Sequence, residues 1–350
     1  MKNIHIVNTE IGGSNPCFII AELSANHGKD INIAIETIRA AKKTGADAIK
    51  LQTFTPDTIT LDVKNEAFLV NHGTQWDGKY LHELYTETHL PWEWHERLFE
   101  VAKEEGLVCF SSPFDLTAVD FLESLNTPAY KIASPEILDI PLIEKCAKTG
   151  KPIIISTGIA TIADIDLAIQ TCRNVGNNNI VLLKCTTSYP APIEDANLET
   201  MNNFAETFQV IPGLSDHTLG TIVPTVSVAL GAKVIEKHFI LDKSVGGADA
   251  AFSLDVEEFT QMVKSVRDAE KAIGKVSYNI GSKATNLSKL ASRSLFITKD
   301  VKKGETLTKE NIRSIRPGNG LHPKHYKEIL GKKFSKDASF ATPLDFSYIK

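Results

Sequence analysis

The chain has 350 residues, 42% of them hydrophobic and 23% charged, a balance typical of globular proteins and unlike that of disordered or fibrous chains. A net charge of −5 gives no electrostatic reason to bind nucleic acid or an anionic membrane. The opening Met1-Lys-Asn-Ile-His-Ile lacks an apolar signal core, no apolar run reaches roughly 18 residues, and Cys17, Cys109, Cys146, Cys172 and Cys185 form no CxxC pair, so we expect a cytoplasmic protein with reduced thiols.

Short runs rich in β-branched residues recur along the first 240 residues. They are Cys17–Leu23, Ala46–Leu51, Leu107–Ser111, Ala129–Ala133, Pro152–Ser156, Ile180–Cys185, Ile211–Leu214 and Lys233–His238. Each is too short for a helix and reads as a strand. Helical periods lie between them. Ile35, Ile38 and Ala41 share a face within Asn32–Lys43, and Trp94, Leu98, Val101 and Ala102 share another before Gly106, a residue suited to ending a helix. Phe54 to Leu90 is a long, polar and aromatic connection carrying His72, Trp76, His82 and His89, the kind of segment that forms part of a binding site. Asp255-Val-Glu-Glu reads as a capping box opening a long helix, with Phe259, Met262, Val263, Val266 and Ile273 on one face.

Eight strands alternating with helices predict a (β/α)8 TIM barrel over residues 1–273. An open, doubly wound sheet is less compatible, because no G-x-G-x-x-G or Walker A sequence follows a strand. Residues 274–290 read as a polar linker. From residue 291 to 350, short strand-like pieces and turns, including Arg316-Pro-Gly-Asn-Gly, predict a separate small β-rich domain.

A barrel places its chemistry at the C-terminal ends of its strands. Those ends are polar almost throughout. In strand order they carry Glu22; Lys50 and Gln52; Ser112; Lys131 with Ser134 and Glu136; Ser156; Thr187 with Tyr189; Ser215 and His217; and Glu236 with His238. A lone lysine in a strand is usually a snorkelling surface residue, and a lone histidine is more often a satisfied polar group than a ligand. Agreement among all eight strands argues against eight such accidents, because a barrel interior accepts charge only when it is paired or used. Two lysines among hydroxyls suit phosphate and carboxylate. Two histidines with oxygen groups nearby suit a divalent cation with open positions. Glu22 and Glu236 suit acid–base work, and Asp249, on the loop after the eighth strand, adds a carboxylate.

Seven motifs in this order resemble the N-acetylneuraminate (sialic acid) synthase family over the whole chain. They are Ile20-Ala-Glu-Leu-Ser-Ala-Asn-His, Ala48-Ile-Lys-Leu-Gln, Ser112-Pro-Phe-Asp, Tyr130-Lys-Ile-Ala-Ser, Ser156-Thr-Gly, Leu214-Ser-Asp-His-Thr and Ile235-Glu-Lys-His-Phe. The last domain resembles the antifreeze-like SAF domain of those synthases. Three stretches resemble the pseudaminic branch: Glu22-Leu-Ser-Ala-Asn-His, Trp76-Asp-Gly-Lys with Leu81-His-Glu-Leu-Tyr and Pro91-Trp-Glu-Trp-His, and Gly318-Asn-Gly-Leu-His-Pro-Lys.

The resemblance implies condensation of phosphoenolpyruvate with 2,4-diacetamido-2,4,6-trideoxy-L-altrose and water, giving pseudaminic acid and phosphate. It implies that Lys50, Gln52, Ser112, Lys131, Ser134, Ser156, Thr187 and Ser215 hold phosphoenolpyruvate. His217 and His238 would ligate a divalent metal (Mn2+, Mg2+ or Co2+). Glu22, Glu236, His217 and His238 would serve catalysis, and Glu136, Tyr189, Asp249 and Arg316 would contact the sugar. Thr187 departs from the family's asparagine. A domain-swapped homodimer, in which Arg316 reaches the partner's barrel, is also implied. The rivals are the same chemistry on a sialic or legionaminic acid precursor, a lysine Schiff-base aldolase, and a non-catalytic sugar-binding protein.

Overall fold

The computed structural model describes residues 3–71, 73, 76–279 and 282–350; His72, named above, lies outside them. The chain divides into two units, Met1–Gly274 and Lys275–Lys350.

In the first unit, an antiparallel hairpin of β1 (Ile4–Ile6) and β2 (Thr9–Ile11) precedes eight parallel strands. These are β3 (Phe18–Glu22), β4 (Ala48–Thr53), β5 (Val108–Pro113), β6 (Tyr130–Ile132), β7 (Ile153–Ser156), β8 (Ile180–Cys185), β9 (Ile211–Asp216) and β10 (Val234–His238). They close as β10-β3-β4-β5-β6-β7-β8-β9, so each strand pairs with its sequence neighbours and β10 meets β3. All eight expected strands are present.

Strand periodicity sorts the side chains into two rows. One row packs under the surrounding helices: Ile19, Ala21, Ile49, Leu51, Tyr130, Ile132, Ile153, Ile155, Ile180, Leu182, Leu214 and Ile235. The other fills the barrel's lower interior with Phe18, Ile20, Ala48, Phe110, Ala129, Ile154, Val181, Leu183, Ile211 and Val234. The hairpin adds Ile4, Ile6 and Ile11 to this interior cluster and so plugs the N-terminal mouth. Fully burying each such side chain stabilises the fold by about 1.5–3 kcal/mol before entropy is counted. Gly213 belongs to the inner row, where a Cβ would come 2.5 Å from both Leu183 Cδ2 and Val234 O.

The helices follow their local signals. Ile31–Thr44 starts at Asp30, whose side chain accepts from Asn32 N, and ends at Gly45 with φ +88°. Trp92–Glu104 is followed by Gly106 at φ +69°. Val256–Ile273 opens with the expected Asp255–Glu258 capping box, and Phe259, Met262, Val263 and Val266 are buried. Ile273 departs from expectation: it is the last residue of the helix and is exposed.

The second unit has its own core of Leu295, Ile297, Val301, Leu307, Ile312, Ile329, Phe334 and Leu344. Its sheet pairs β11 (Ser294–Ile297) with β12 (Ile312–Ile315). The stretch read as a linker is corrected in part: Ser282–Ala291 is a helix. Its alanine, lysine and leucine content favours a helix. Leu287 and Leu290 are exposed, so these two leucines form no buried stripe that would have betrayed it. In Arg316-Pro-Gly-Asn-Gly both glycines sit where a Cβ would overlap other atoms, Ser292 Oγ at Gly318 and Leu295 O at Gly320.

Candidate active site

One step further along the inner row, the barrel changes character. Two residues above Ile20, Ala48, Phe110, Ala129, Ile154, Leu183, Gly213 and Val234 stand Glu22, Lys50, Ser112, Lys131, Ser156, Cys185, Ser215 and Glu236. The seven positions other than Gly213 are apolar, and the residue above each of the eight is polar except Cys185. All of this layer but Ser112 lines a cavity of about 580 Å³.

The floor is a buried network of alternating charge. Lys50 Nζ lies 2.6 Å from Glu22 Oε2 and 3.9 Å from Glu236 Oε1, and Lys131 Nζ lies 3.2 Å from Glu236 Oε1. Lys50 also donates to Ser112 Oγ at 3.1 Å, and Ser215 donates to Glu236 Oε1 at 3.3 Å. Gln52 Nε2 donates to Glu22 Oε1 and to Ser24 Oγ, and Ser24 donates in turn to Asp249.

Burial shapes the protonation of these groups. It raises Glu22 to about 7, against the pull of Lys50 and with help from the Glu236 charge. It raises Glu136 to about 7 and also pushes Asp249 upward. Lys131 is lowered by burial, with Glu236 opposing. Lys50 is also desolvated, but Glu22 and Glu236 outweigh the penalty and hold it charged.

Above the floor, Tyr189, His217, His238 and Phe252 form a ring cluster. Centroids are 4.4 Å apart for Tyr189 and His217, 5.3 Å for His217 and His238, and 4.9 Å for His238 and Phe252. Ser134 Oγ accepts from Ile159 N at 3.0 Å and lies 3.1 Å from Thr187 Oγ1. A Cβ at Gly158 would overlap both hydroxyls. Several buried polar atoms make no hydrogen bond within the protein: Glu136 Oε2, Ser156 Oγ, Glu236 Oε2 and His238 Nδ1. All belong to cavity-lining residues, which is the signature of a site built for a polar ligand.

Of the residues expected at the site, Glu22, Lys50, Gln52, Lys131, Ser134, Glu136, Ser156, Tyr189, Ser215, His217, Glu236, His238 and Asp249 line this one cavity. Ser112 supports Lys50 from beside it, and Thr187 backs Ser134. Arg316 follows β12 in the second unit.

The family model described as "NeuB family" matches residues 37–278, and the "SAF domain" model matches residues 292–345. The chain belongs to the NeuB family. It is 51% identical to the pseudaminic acid synthase of Helicobacter pylori over 94% of this chain and 96% of that protein. It is 39% identical to the N,N'-diacetyllegionaminic acid synthase of Legionella pneumophila, covering 97% of this chain and 96% of that one. Among solved structures, the N-acetylneuraminic acid synthetase of Leptospira borgpetersenii serovar Hardjo-bovis, in complex with citrate, matches with a TM-score of 0.72 and 30% identity, over 82% of this chain and 95% of that one.

NeuB membership raises the question of a metal. Among the described residues, no three or more His, Cys, Asp or Glu side chains converge as a ready-made cation cage. The donor set nonetheless fits a cation that leaves most positions to water and substrate. Burial and neighbouring positive charge hold His238 well below the usual imidazole value, so it is neutral, and its buried Nδ1 makes no hydrogen bond, with Asp249 Oδ2 3.9 Å away. His217 Nδ1 lies 2.9 Å from Thr186 O, a hydrogen bond that assigns a proton to Nδ1 and makes Nε2 the nitrogen that could face a cation. Cys185 Sγ lies 3.9 Å from the same Nδ1, and although burial works the other way, Cys185 and the Thr186 carbonyl together hold the His217 imidazole above its usual value.

Sequence reasoning overlooked Ser24, which links Gln52 to Asp249, and Phe252, which packs on His238. It also overlooked Cys185 as a lining residue, having read all five cysteines as core thiols. All five are free and buried. The inner-row parity of β8, read two residues beyond Leu183, would have placed Cys185 at the site. The long connection expected to serve the site does so: Ile59, Val70, Trp76, Leu81, Leu84 and Tyr85 give the cavity an apolar wall. No helix among the described residues is long and apolar enough to cross a membrane.

Proposed function

We propose that this NeuB-family chain is a pseudaminic acid synthase, condensing phosphoenolpyruvate with 2,4-diacetamido-2,4,6-trideoxy-β-L-altropyranose and water to release pseudaminic acid and phosphate. The observation that carries this reading is the pair of buried lysines, Lys50 and Lys131, at the floor of a cavity whose wall is apolar. The chain's 48–51% identity to three curated pseudaminic acid synthases supports this sugar over a legionaminic or sialic acid precursor.

In this reading Lys50 and Lys131 receive the phosphate and carboxylate of phosphoenolpyruvate, aided by the Ser134, Ser156 and Ser215 hydroxyls and Gln52. The incoming anion displaces part of the contact with Glu22 and Glu236. Carbon 3 of phosphoenolpyruvate attacks the aldehyde carbon of the open-chain sugar. The positive character left at carbon 2 is quenched by water, and the tetrahedral intermediate expels phosphate by C–O cleavage. Glu22, held near neutrality, is suited to passing a proton in either direction. Glu136, Tyr189 and Asp249 face the sugar. A divalent cation (Mn2+, Mg2+ or Co2+) held by His217 and His238 would supply Lewis-acid polarisation of the aldehyde oxygen.

A homodimer is part of the proposal. Leu138, Ile159, Ile193 and Leu219, on connections following β6, β7, β8 and β9, are about half exposed or more, an apolar surface suited to a partner subunit. Arg316 of one subunit would then complete the other's sugar site, in the cytoplasm, where the substrate phosphoenolpyruvate is made. The deciding experiment incubates the protein with phosphoenolpyruvate, Mn2+ and a panel of amino sugars and measures released phosphate. Turnover on the trideoxy-altrose substrate far above N-acetylmannosamine is expected. Preference for N-acetylmannosamine would overturn the choice of sugar, and borohydride trapping of a pyruvate adduct would point to an aldolase.

A further inference from the structure

On the outer face of the barrel wall, behind the two histidines, lies an ion pair that the proposed chemistry does not use. Asp216 and Lys237 are register partners on β9 and β10. Their side chains take the helix-facing row, opposite in parity to Ser215 and Glu236. The Lys237 ammonium contacts both the Asp216 carboxylate and the Thr218 carbonyl. The Lys237 side chain is wholly buried and that of Asp216 is nearly so. Burial pushes the Lys237 ammonium below its usual range, with Asp216 opposing. The remaining capacity of Asp216 is spent on the same turn: its Oδ1 accepts from Thr218 N at 3.0 Å and from Thr218 Oγ1 at 2.9 Å.

The connectivity is specific. Asp216 and Thr218 flank His217, and Lys237 immediately precedes His238. One buried ammonium therefore ties both residues around the first histidine to the residue before the second. A paired interior charge is a costly way to gain stability, since apolar residues of similar volume usually do as well or better. Its return here is geometric, because it fixes the backbone from which both imidazoles project.

We infer that Asp216 and Lys237 are positioning residues that set the spacing of His217 and His238 for a divalent cation. This rests on the metal reading above. The Lys237 ammonium is a crossbar between two strand ends, a side-chain tie added to the β9–β10 ladder and to the Ala191 N to His217 O hydrogen bond.

The test measures Mn2+ binding by electron paramagnetic resonance, with phosphoenolpyruvate binding in the absence of metal followed by calorimetry. Wild type and His217→Ala serve as controls. Lys237→Met should weaken Mn2+ binding by about tenfold or more, the usual effect of removing an outer-shell support, while metal-free phosphoenolpyruvate binding changes by less than about twofold. A folded Lys237→Met protein with wild-type Mn2+ affinity overturns the inference. If that variant does not fold, Asp216→Asn/Lys237→Met removes both charges and keeps an acceptor for Thr218 N. It should fold and still bind Mn2+ weakly, and wild-type affinity in it is equally fatal. Failure of the metal reading looks different: wild type and His217→Ala would then bind Mn2+ alike.

Discussion

Lys50 and Glu22 face each other in register on neighbouring strands, Nζ and Oε2 2.6 Å apart, with both side chains buried. Replacing Lys50 alone takes from Glu22 its ion-pair partner inside the barrel, whereas Lys50 keeps Glu236 at 3.9 Å if Glu22 is replaced. Lys50→Met should therefore lower kcat/KM for phosphoenolpyruvate by about 100-fold or more and also lower the thermal midpoint. Glu22→Gln/Lys50→Met should recover the midpoint but not the activity. A double variant that regains turnover would remove Lys50 from the binding role.

Two carboxyls give the stability a definite pH slope. Glu22 and Glu136 are raised from 4.5 to about 7, chiefly by burial. Between these values the unfolded chain has lost protons that the folded chain retains. The pair thus favours folding most at the acid end, and that contribution disappears as pH rises through 7. Glu136→Gln should flatten the dependence of the urea midpoint on pH between pH 5 and 7. An unaltered slope would mean that Glu136 titrates normally in the fold.

His217→Ala and His238→Ala should each abolish turnover together with the response to added Mn2+. Phosphate release assayed with and without chelator checks this, and full chelator-insensitive activity in either variant would remove the cation from the site.

The bond that breaks can be read with isotope. With 18O in the bridging oxygen of phosphoenolpyruvate, C–O cleavage sends the label out with phosphate. Mass spectrometry should find it there, and label retained in the sugar acid would require P–O cleavage.

Arg316 offers a test of the shared site. Arg316→Ala should depress turnover while leaving the thermal midpoint close to wild type. Mixing it with His238→Ala subunits should restore activity if each barrel draws its arginine from the other chain. No restoration, despite subunit exchange seen by native mass spectrometry, would place Arg316 elsewhere.

The barrel was legible because its strands are short, β-branched and regularly spaced, and the site because polar residues interrupt those strands at one end. Lys50, Lys131 and Glu236 announce themselves by their apolar neighbours. Ser24 and Phe252 carry no such contrast. A serine after a strand and a phenylalanine in a loop are ordinary until folding brings them against Asp249 and His238. The helix Ser282–Ala291 was hidden for the opposite reason: with Leu287 and Leu290 facing solvent, its composition is helical but its pattern is not. Asp216 and Lys237 lie inside motifs that were noticed for their histidines, and only strand register reveals them as partners.

The hairpin at the N-terminal mouth bears on traffic. With Ile4, Ile6 and Ile11 sealed against Phe18 and Ile20, the barrel is a blind well. Lys131 lies in the same cavity that Trp76, Leu84 and Tyr85 line. A sugar seated higher in the well would lie across the exit of an anion bound at the lysines. On the proposed assignment the anion would enter before the sugar, an order that initial-rate kinetics with both substrates varied would check.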